Sequence, residues 1–194
     1  YEPGCMEHFQ QKKDIRIMRV DGLDKLSRYV GDLPEPLDIS VQSDGSIVLQ
    51  APMLTKIRGP EDLRYVTERK ATAQEAKDIV FSWYVCMNVR SNGVVLSGDS
   101  ATIGVGTGQQ DRVTAVKLAL DKAEMRGHGD AIPGSVLASD GFFPFRDSID
   151  LLAEHGVKAC VQPGGSVKDK EVIEACDENG IAMAFTDERC FRHF

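Results

Sequence analysis

The sequence predicts an α/β three-layer sandwich on a mixed sheet, and three observations carry that prediction. Near the carboxyl end, the apolar runs SVLAS (135–139), VKACVQ (157–162) and IAMAF (181–185) alternate with helix-length polar segments. Strands linked by helices run parallel through right-handed crossovers. Upstream, GVVLS (93–97) and ATIGVG (101–106) flank Gly98-Asp99 and read as an antiparallel hairpin. Thr72-Ala-Gln-Glu75 is a capping box: the Thr hydroxyl takes a free backbone N–H while Glu75 reaches back. The helix it opens runs to about Asn88, with Ala76, Ile79, Val80, Trp83 and Met87 at helical spacing.

The remaining elements follow in order. Residues 1–13 read as a short helix ending in Lys12-Lys13, and IRIMRV (15–20) as a strand. GDLPEP (31–36) is a breaker-rich connection, and SIVLQ (46–50) a strand after the turn Asp44-Gly45. Pro60 and the stretch from Thr67 to Thr72 mark loop. A second helix runs from Gln109 to about Glu124, and RGHGDAIPG (126–134) is loop. The whole of 1–194 reads as one domain, with 1–70 a looser annex.

Composition narrows the function classes. A chain of 194 residues buries a substantial core. A net charge of −7, with no basic stripe and interleaved aromatics, argues against a nucleic-acid partner. Apolar stretches are strand-length and no signal-peptide pattern is seen, so no membrane contact is expected and the expected compartment is the cytoplasm. Five cysteines form an odd set without a Cys-x-x-Cys pair, which predicts free thiols. The zinc-deaminase signature, His-x-Glu with Pro-Cys-x-x-Cys, is missing.

The three parallel strands all break into decorated loops at their carboxyl ends, the edge where open α/β sheets bind ligands. This gathers Phe142, Phe143, Arg146, Gln162, Arg189 and His193 on one rim. Arg189, Phe191 and His193 alternate, so in extended backbone they share a side; the plain alternative is a frayed, charged terminus. Phe142 and Phe145 offer faces for a heterocycle, whereas Phe143 reads as a core plug. Pro144 fits a first helical position, and Asp147 a first turn, where a carboxylate favours the helix dipole. Gly104-Val-Gly106-Thr-Gly108 before Gln109, Asp111 and Arg112 reads either as an anion-binding turn or as close packing. Gln162-Pro-Gly-Gly-Ser166 is a similar nest, unless Ser166 and Asp169 merely cap a helix. Asn92 is read either as a junction residue tolerant of left-handed backbone or as a neutral donor and acceptor. His8, His128 and His155 read as structural or solvent-facing.

The wording of these loops resembles a known family. SDGFFPFRD, QPGGS-x-x-D, GIAMAFTD-x-R-x-FRH, RSNGVV and TIGVGTGQQDR closely resemble the carboxyl half of AICAR transformylase, in the same order from KKDIRIM (12–18) to the end. That family is the folate-dependent formyltransferase of purine biosynthesis, usually fused to IMP cyclohydrolase. The resemblance implies a cytidine-deaminase-like fold without zinc, a homodimer, and formyl transfer from 10-formyltetrahydrofolate to AICAR, giving FAICAR. It further implies catalytic roles for Asn92 and His193, and substrate contacts from Gln109, Arg112, Arg189 and Phe191. Phe142, Pro144, Phe145 and Asp147 would line the folate side, and Asp140 would help hold a monovalent cation such as potassium. The family has Ala where this chain has Gly141, a departure expected to loosen the loop.

One absence qualifies the resemblance. The family keeps its general base in a Lys-His-x-x-Pro-x-Gly setting in the preceding half, and this sequence contains no Lys-His dipeptide. The chain is expected to begin downstream of that half, with a separate chain or fragment supplying it. The rival expectations are a non-catalytic nucleotide- or folate-binding protein and an IMP cyclohydrolase-associated protein, although nothing resembles the cyclohydrolase domain itself.

Overall fold

Six strands form one mixed sheet in the computed structural model, which describes residues 4–11, 14–22, 25–32 and 37–192. The short helix α1 spans Cys5–Gln10, and β1 (Asp38–Val41) with β2 (Ile47–Gln50) make a separate two-stranded ribbon. The main elements are β3 (Arg64–Tyr65), α2 (Ala73–Cys86), β4 (Val94–Gly98), β5 (Ala101–Gly106), α3 (Arg112–Met125), β6 (Val136–Ser139), α4 (Asp147–Glu154), β7 (Ala159–Gln162), α5 (Asp169–Glu178) and β8 (Ala182–Phe185).

Strand order is β3-β8-β7-β6-β4-β5. The three carboxyl-terminal strands run parallel, with Val136 opposite Ala159 and Ala159 opposite Ala182. β4 is antiparallel to both β5 and β6, and β3 is antiparallel to β8. The carboxyl ends of β5, β6, β7 and β8 therefore share one rim with the amino ends of β3 and β4.

Side chains alternate across the sheet. Val94, Leu96, Leu137, Cys160 and Met183 pack into one core with α3, α4 and α5. Val95, Ala138, Val161 and Ala184 pack into the other with Ile79 and Trp83 of α2 and with Ile57 and Leu63. Strands buried on both faces read as unbroken apolar runs, which is why VLAS, ACVQ and AMAF were legible. The capping box is present, with Glu75 N–H donating to the Thr72 hydroxyl at 3.2 Å and Thr72 N–H to the Glu75 carboxylate at 2.8 Å.

Several local expectations need correction. Residues 15–20 join no ladder; Ile15, Ile17, Met18 and Val20 are exposed, and a strand pattern without a neighbour makes no strand. β1 and the two-residue edge strand β3 carried too few residues to announce themselves. The hairpin turns at Asp99 and Ser100, whose φ angles are 51° and 58°. The buried Asp78 carboxylate accepts from both of their N–H groups, at 3.1 and 2.7 Å, which offsets the left-handed backbone. α3 starts three residues later than expected because Asp111 caps it, accepting from Thr114 N–H at 2.7 Å and Thr114 Oγ1 at 2.9 Å. α4 begins at Asp147, so Pro144 lies in the loop before it and not at a first helical position. Lys12, Lys13 and residues 33–36 lie outside the described residues.

Candidate functional site

The rim is assembled by backbone hydrogen bonds between loops far apart in sequence. Ser91 N–H donates to the Arg192 carbonyl at 2.7 Å, Asp140 N–H to the Gly93 carbonyl at 3.1 Å, and Cys190 N–H to the Asp140 carbonyl at 3.2 Å. The segment after α2, the loop after β6 and the tail after β8 are thereby tied into one wall. Between them lies a cavity of about 310 Å³ lined by Asn92, Asp111, Arg112, Phe142, Pro144 and Phe191, with Gln110 at its edge.

Arg112 is buried at the base of this cavity. Its Nη1 donates to the Asp140 carboxylate and, at 3.2 Å, to the Gly93 carbonyl. The other Asp140 oxygen accepts from Gly93 N–H at 3.0 Å. An ion pair buried this deeply holds its geometry only when the remaining hydrogen-bonding atoms are satisfied. Nε of Arg112 is buried with no partner, and such an orphan donor costs free energy until something accepts from it. The carboxylate of Asp140, expected to help hold a cation, is shared between a guanidinium and an amide.

Asn92 is fixed from two directions. Its backbone N–H donates to the Gln109 carbonyl at 3.2 Å and its Nδ2 donates to the same carbonyl at 2.9 Å. The side-chain amide is thereby oriented, with Oδ1 left to accept from a ligand. Gln109 supplies that carbonyl, but its own side chain turns back to donate to Thr107 O at 2.9 Å, and its neighbour Gln110 reaches the cavity instead.

The aromatic residues divide. Phe142 lines the cavity with Pro144, while Phe143 is fully buried in the core. Its N–H donates to Oε1 of the buried Gln162 at 3.2 Å, and Gly164 N–H donates to the same oxygen at 3.3 Å, so Gln162 is a strut between two rim loops. Phe145 is exposed, and Asp147 accepts from Ser148 N–H at 2.7 Å; both lie away from the cavity. Arg146 is engaged by Asp150 and Glu178.

Arg189 lies over two rings at once, its guanidinium carbon 5.3 Å from the centre of Phe142 and 5.8 Å from that of Phe191. It also borders a neighbouring cavity of about 460 Å³ with Pro163, Gly164, Gly165, Asp187 and Glu188. The tail that carries it is anchored behind by Glu188, which accepts from Thr55 Oγ1 and, at 3.0 Å, from Lys56 N–H. His193, expected beside Arg189 and Phe191, lies outside the described residues.

Two loops that read as anion nests are filled by the protein itself. A Cβ on Gly104 or Gly106 would strike the backbone of Ala119 or Ala115, so these glycines let α3 lie directly on β5. The amino end of α3 is occupied by the Asp111 carboxylate. At the second loop, Gly165 and Ser166 donate N–H bonds to Asp169 at 2.7 and 3.2 Å. Gly141 sits where space for a side chain is already taken. The ring of Phe191 and Nη2 of Arg112 pack where its Cβ would be.

The cavity's chemistry is therefore an amide, a buried cation and aromatic walls. Backbone N–H donation from Thr114, followed by its hydroxyl, holds the Asp111 carboxyl below the usual range, which makes it a weak base.

A family model described as the AICARFT/IMPCHase bienzyme matches residues 1–122, more than half of the chain. The chain belongs to the AICARFT/IMPCHase family. It is 38% identical over 193 residues to the bifunctional purine biosynthesis protein PurH of Aquifex aeolicus, covering 100% of this chain and 35% of that protein. PurH of Xanthomonas euvesicatoria is 42% identical over 193 residues, covering 100% of this chain and 34% of that protein. PurH of Persephonella marina is 42% identical over 184 residues, covering 95% and 33%. The chain thus spans about a third of the length of these AICARFT/IMPCHase relatives. Two solved structures overlay on about half of the chain. The diaminohydroxyphosphoribosylaminopyrimidine deaminase/5-amino-6-(5-phosphoribosylamino)uracil reductase of Thermotoga maritima is 22% identical, covers 49% of this chain and 30% of that one, and has a TM-score of 0.36. RibD of Acinetobacter baumannii is 16% identical, covers 52% and 31%, and has a TM-score of 0.37.

Proposed function

We propose that this chain is the carboxyl-terminal part of an AICAR transformylase, acting in purine nucleotide synthesis in the cytoplasm. The observation that carries this reading is the meeting of Asn92, Arg112, Phe142 and Phe191 around one cavity, with Arg189 across its aromatic wall. The reaction moves a formyl group from N10 of 10-formyltetrahydrofolate to the 5-amino group of AICAR. A C–N bond forms to the formyl carbon, the tetrahedral adduct collapses with cleavage of the formyl C–N10 bond, and the proton leaving the amine is balanced by one gained at N10.

The chain's residues divide that work. Arg189 has the planar fork that suits a nucleotide phosphate, and the buried Arg112 guanidinium places a positive charge in the cavity wall. Asn92 presents an oriented acceptor to an amine or carboxamide N–H, which fixes the attacking group and removes part of the entropic barrier. Phe142, Phe191 and Pro144 form an apolar wall against which a flat ring lies. The site residues Gln109, Phe145 and Asp147 suggested by the resemblance contribute backbone or outer surface. Asp140 acts as the partner of Arg112, which leaves a potassium-type ion to compete with a guanidinium for the same carboxylate.

Among the described cavity residues none is a general base suited to neutral pH, and the sequence has no Lys-His dipeptide. General-base catalysis supplies about 10²–10⁴-fold, so formyl transfer requires a base beyond these residues, of the kind a Lys-His half would carry. The same observation favours a second reading, a nucleotide- or folate-binding protein without turnover. Formyl transfer assayed with the chain alone, and then mixed with a polypeptide carrying that half, separates the two. The transformylase reading predicts activity only in the mixture, abolished by Asn92→Ala. Nucleotide binding with no turnover in either arm would favour the binding protein.

A further inference from the structure

The hydroxyl of Thr55 lies behind the rim on a residue that is 1% exposed, and its hydrogen bonding is complete. Indole Nε1 of Trp83 and the backbone N–H of Ile57 both donate to it, each at 3.0 Å. Those two groups only donate, so the single hydroxyl proton has one direction left, towards the Glu188 carboxylate. Lys56 N–H donates to the same carboxylate at 3.0 Å. Thr55 is itself pinned: its N–H donates to the Arg28 carbonyl at 3.2 Å, and its carbonyl accepts from Val30 N–H at 3.1 Å. A polar network satisfied in this way is rigid and specifies one arrangement.

What this network holds is the backbone beside Arg189. The Glu188 carbonyl accepts from Thr186 Oγ1 at 2.8 Å, so residue 188 is fixed at backbone and side chain alike. On the other side, Cys190 N–H donates to the Asp140 carbonyl at 3.2 Å. Arg189 thus projects between two anchored neighbours, in a described tail that has no helix or strand after β8. The two acidic residues just before it are turned to other partners, Asp187 to Arg64 and Glu188 to Thr55. Its guanidinium lies over Phe142 and Phe191 and stays available to an anion.

We propose that Thr55 is a positioning residue for phosphate binding: through Glu188 it fixes the backbone from which Arg189 reaches the nucleotide. This rests on the reading of Arg189 as the phosphate partner. Thr55 borders a different cavity, of about 560 Å³, with Tyr29, Met53 and Tyr84, so it acts on the ligand only through the tail. Holding Arg189 in place before the ligand arrives removes an ordering cost that binding would otherwise have to overcome.

Calorimetric titration of AICAR into the parent, Thr55→Val, Thr55→Ser and Glu188→Ala tests this, with hydrogen exchange of residues 186–192 measured alongside. Thr55→Val keeps the shape and loses the hydroxyl, and AICAR affinity is expected to fall by about three- to tenfold. Thr55→Ser keeps the hydroxyl and should bind like the parent. Exchange in the tail should rise in Thr55→Val and Glu188→Ala and stay at the parent's level in Thr55→Ser. Should Thr55→Val fail to fold, Glu188→Ala breaks the same chain at its half-buried end and should weaken AICAR by a similar factor. Combining the two should add nothing further. In an Arg189→Ala background, Thr55→Val should leave the residual affinity unchanged, whereas a general disturbance of the rim would lower it again. Parental affinity in both Thr55→Val and Glu188→Ala would overturn the positioning role and leave the phosphate reading intact. As large a loss in Thr55→Ser as in Thr55→Val would overturn it too. A parent that binds no AICAR would overturn both.

Discussion

Arg112 and Asp140 form a buried ion pair beneath the candidate site, one at the start of α3 and the other just past β6. The pair does two jobs at once. It joins the antiparallel and parallel halves of the sheet at the rim, and it sets a cation under the cavity with Nε still unsatisfied.

Arg112→Ala should therefore act on stability before it acts on binding. Removing one partner of a buried pair leaves the other charge uncompensated, at about 3–5 kcal/mol. Urea denaturation of Arg112→Ala, Asp140→Ala and the double variant checks this. The double variant should lose less than the sum of the singles, with a coupling of about 0.5–3 kcal/mol.

The tail has an acid-sensitive anchor. Arg64 Nε donates to Asp187 Oδ2 at 2.8 Å, and that guanidinium holds the Asp187 carboxyl below its ordinary range. A carboxyl whose folded value is depressed contributes fully above its unfolded value, near 4, and the contribution fades as pH falls through the lower folded value. The pair is largely exposed, so its whole effect is at most about 1 kcal/mol. Urea midpoints for the parent and Arg64→Gln should differ at neutral pH and converge on acidification below about pH 4.

Cys86, Cys160, Cys176 and Cys190 are buried, and Cys5 is half-buried. Burial, then a hydrogen bond with Cys190, pushes the Cys86 thiol up; a hydrogen bond with Cys160, then burial, does the same to Cys176. Alkylation read by mass spectrometry should modify Cys5 in the native protein and the other four only after unfolding. Native labelling of Cys176 would contradict this packing.

Much of the fold was legible because periodicity and burial coincide. VLAS, ACVQ and AMAF are buried on both faces, and Thr72 with Glu75 declared the start of α2. The ribbon and the unpaired run 15–20 were harder to read, since whether an apolar stretch finds a strand partner is a long-range matter. At the site, Asn92, Arg112, Phe142, Pro144 and Phe191 meet in one cavity. Which of two adjacent glutamines faces it turned on the position of the Asp111 cap, and sequence periodicity does not fix a cap to the residue. The pairing of Arg112 with Asp140, 28 residues apart, leaves no local signal at all.

The central claim is that this rim holds a phosphorylated purine precursor, and calorimetric titration of AICAR into the parent and Arg189→Ala tests it most directly. Arg189 suits this test where Arg112 does not, because it is exposed and its loss leaves no buried charge unpaired. A charged hydrogen bond to phosphate contributes about 1.5–3 kcal/mol, so the account predicts binding by the parent and weakening by roughly tenfold or more in the variant, with thermal stability unchanged. No heat of binding in the parent, or equal affinity in the two proteins, would contradict it.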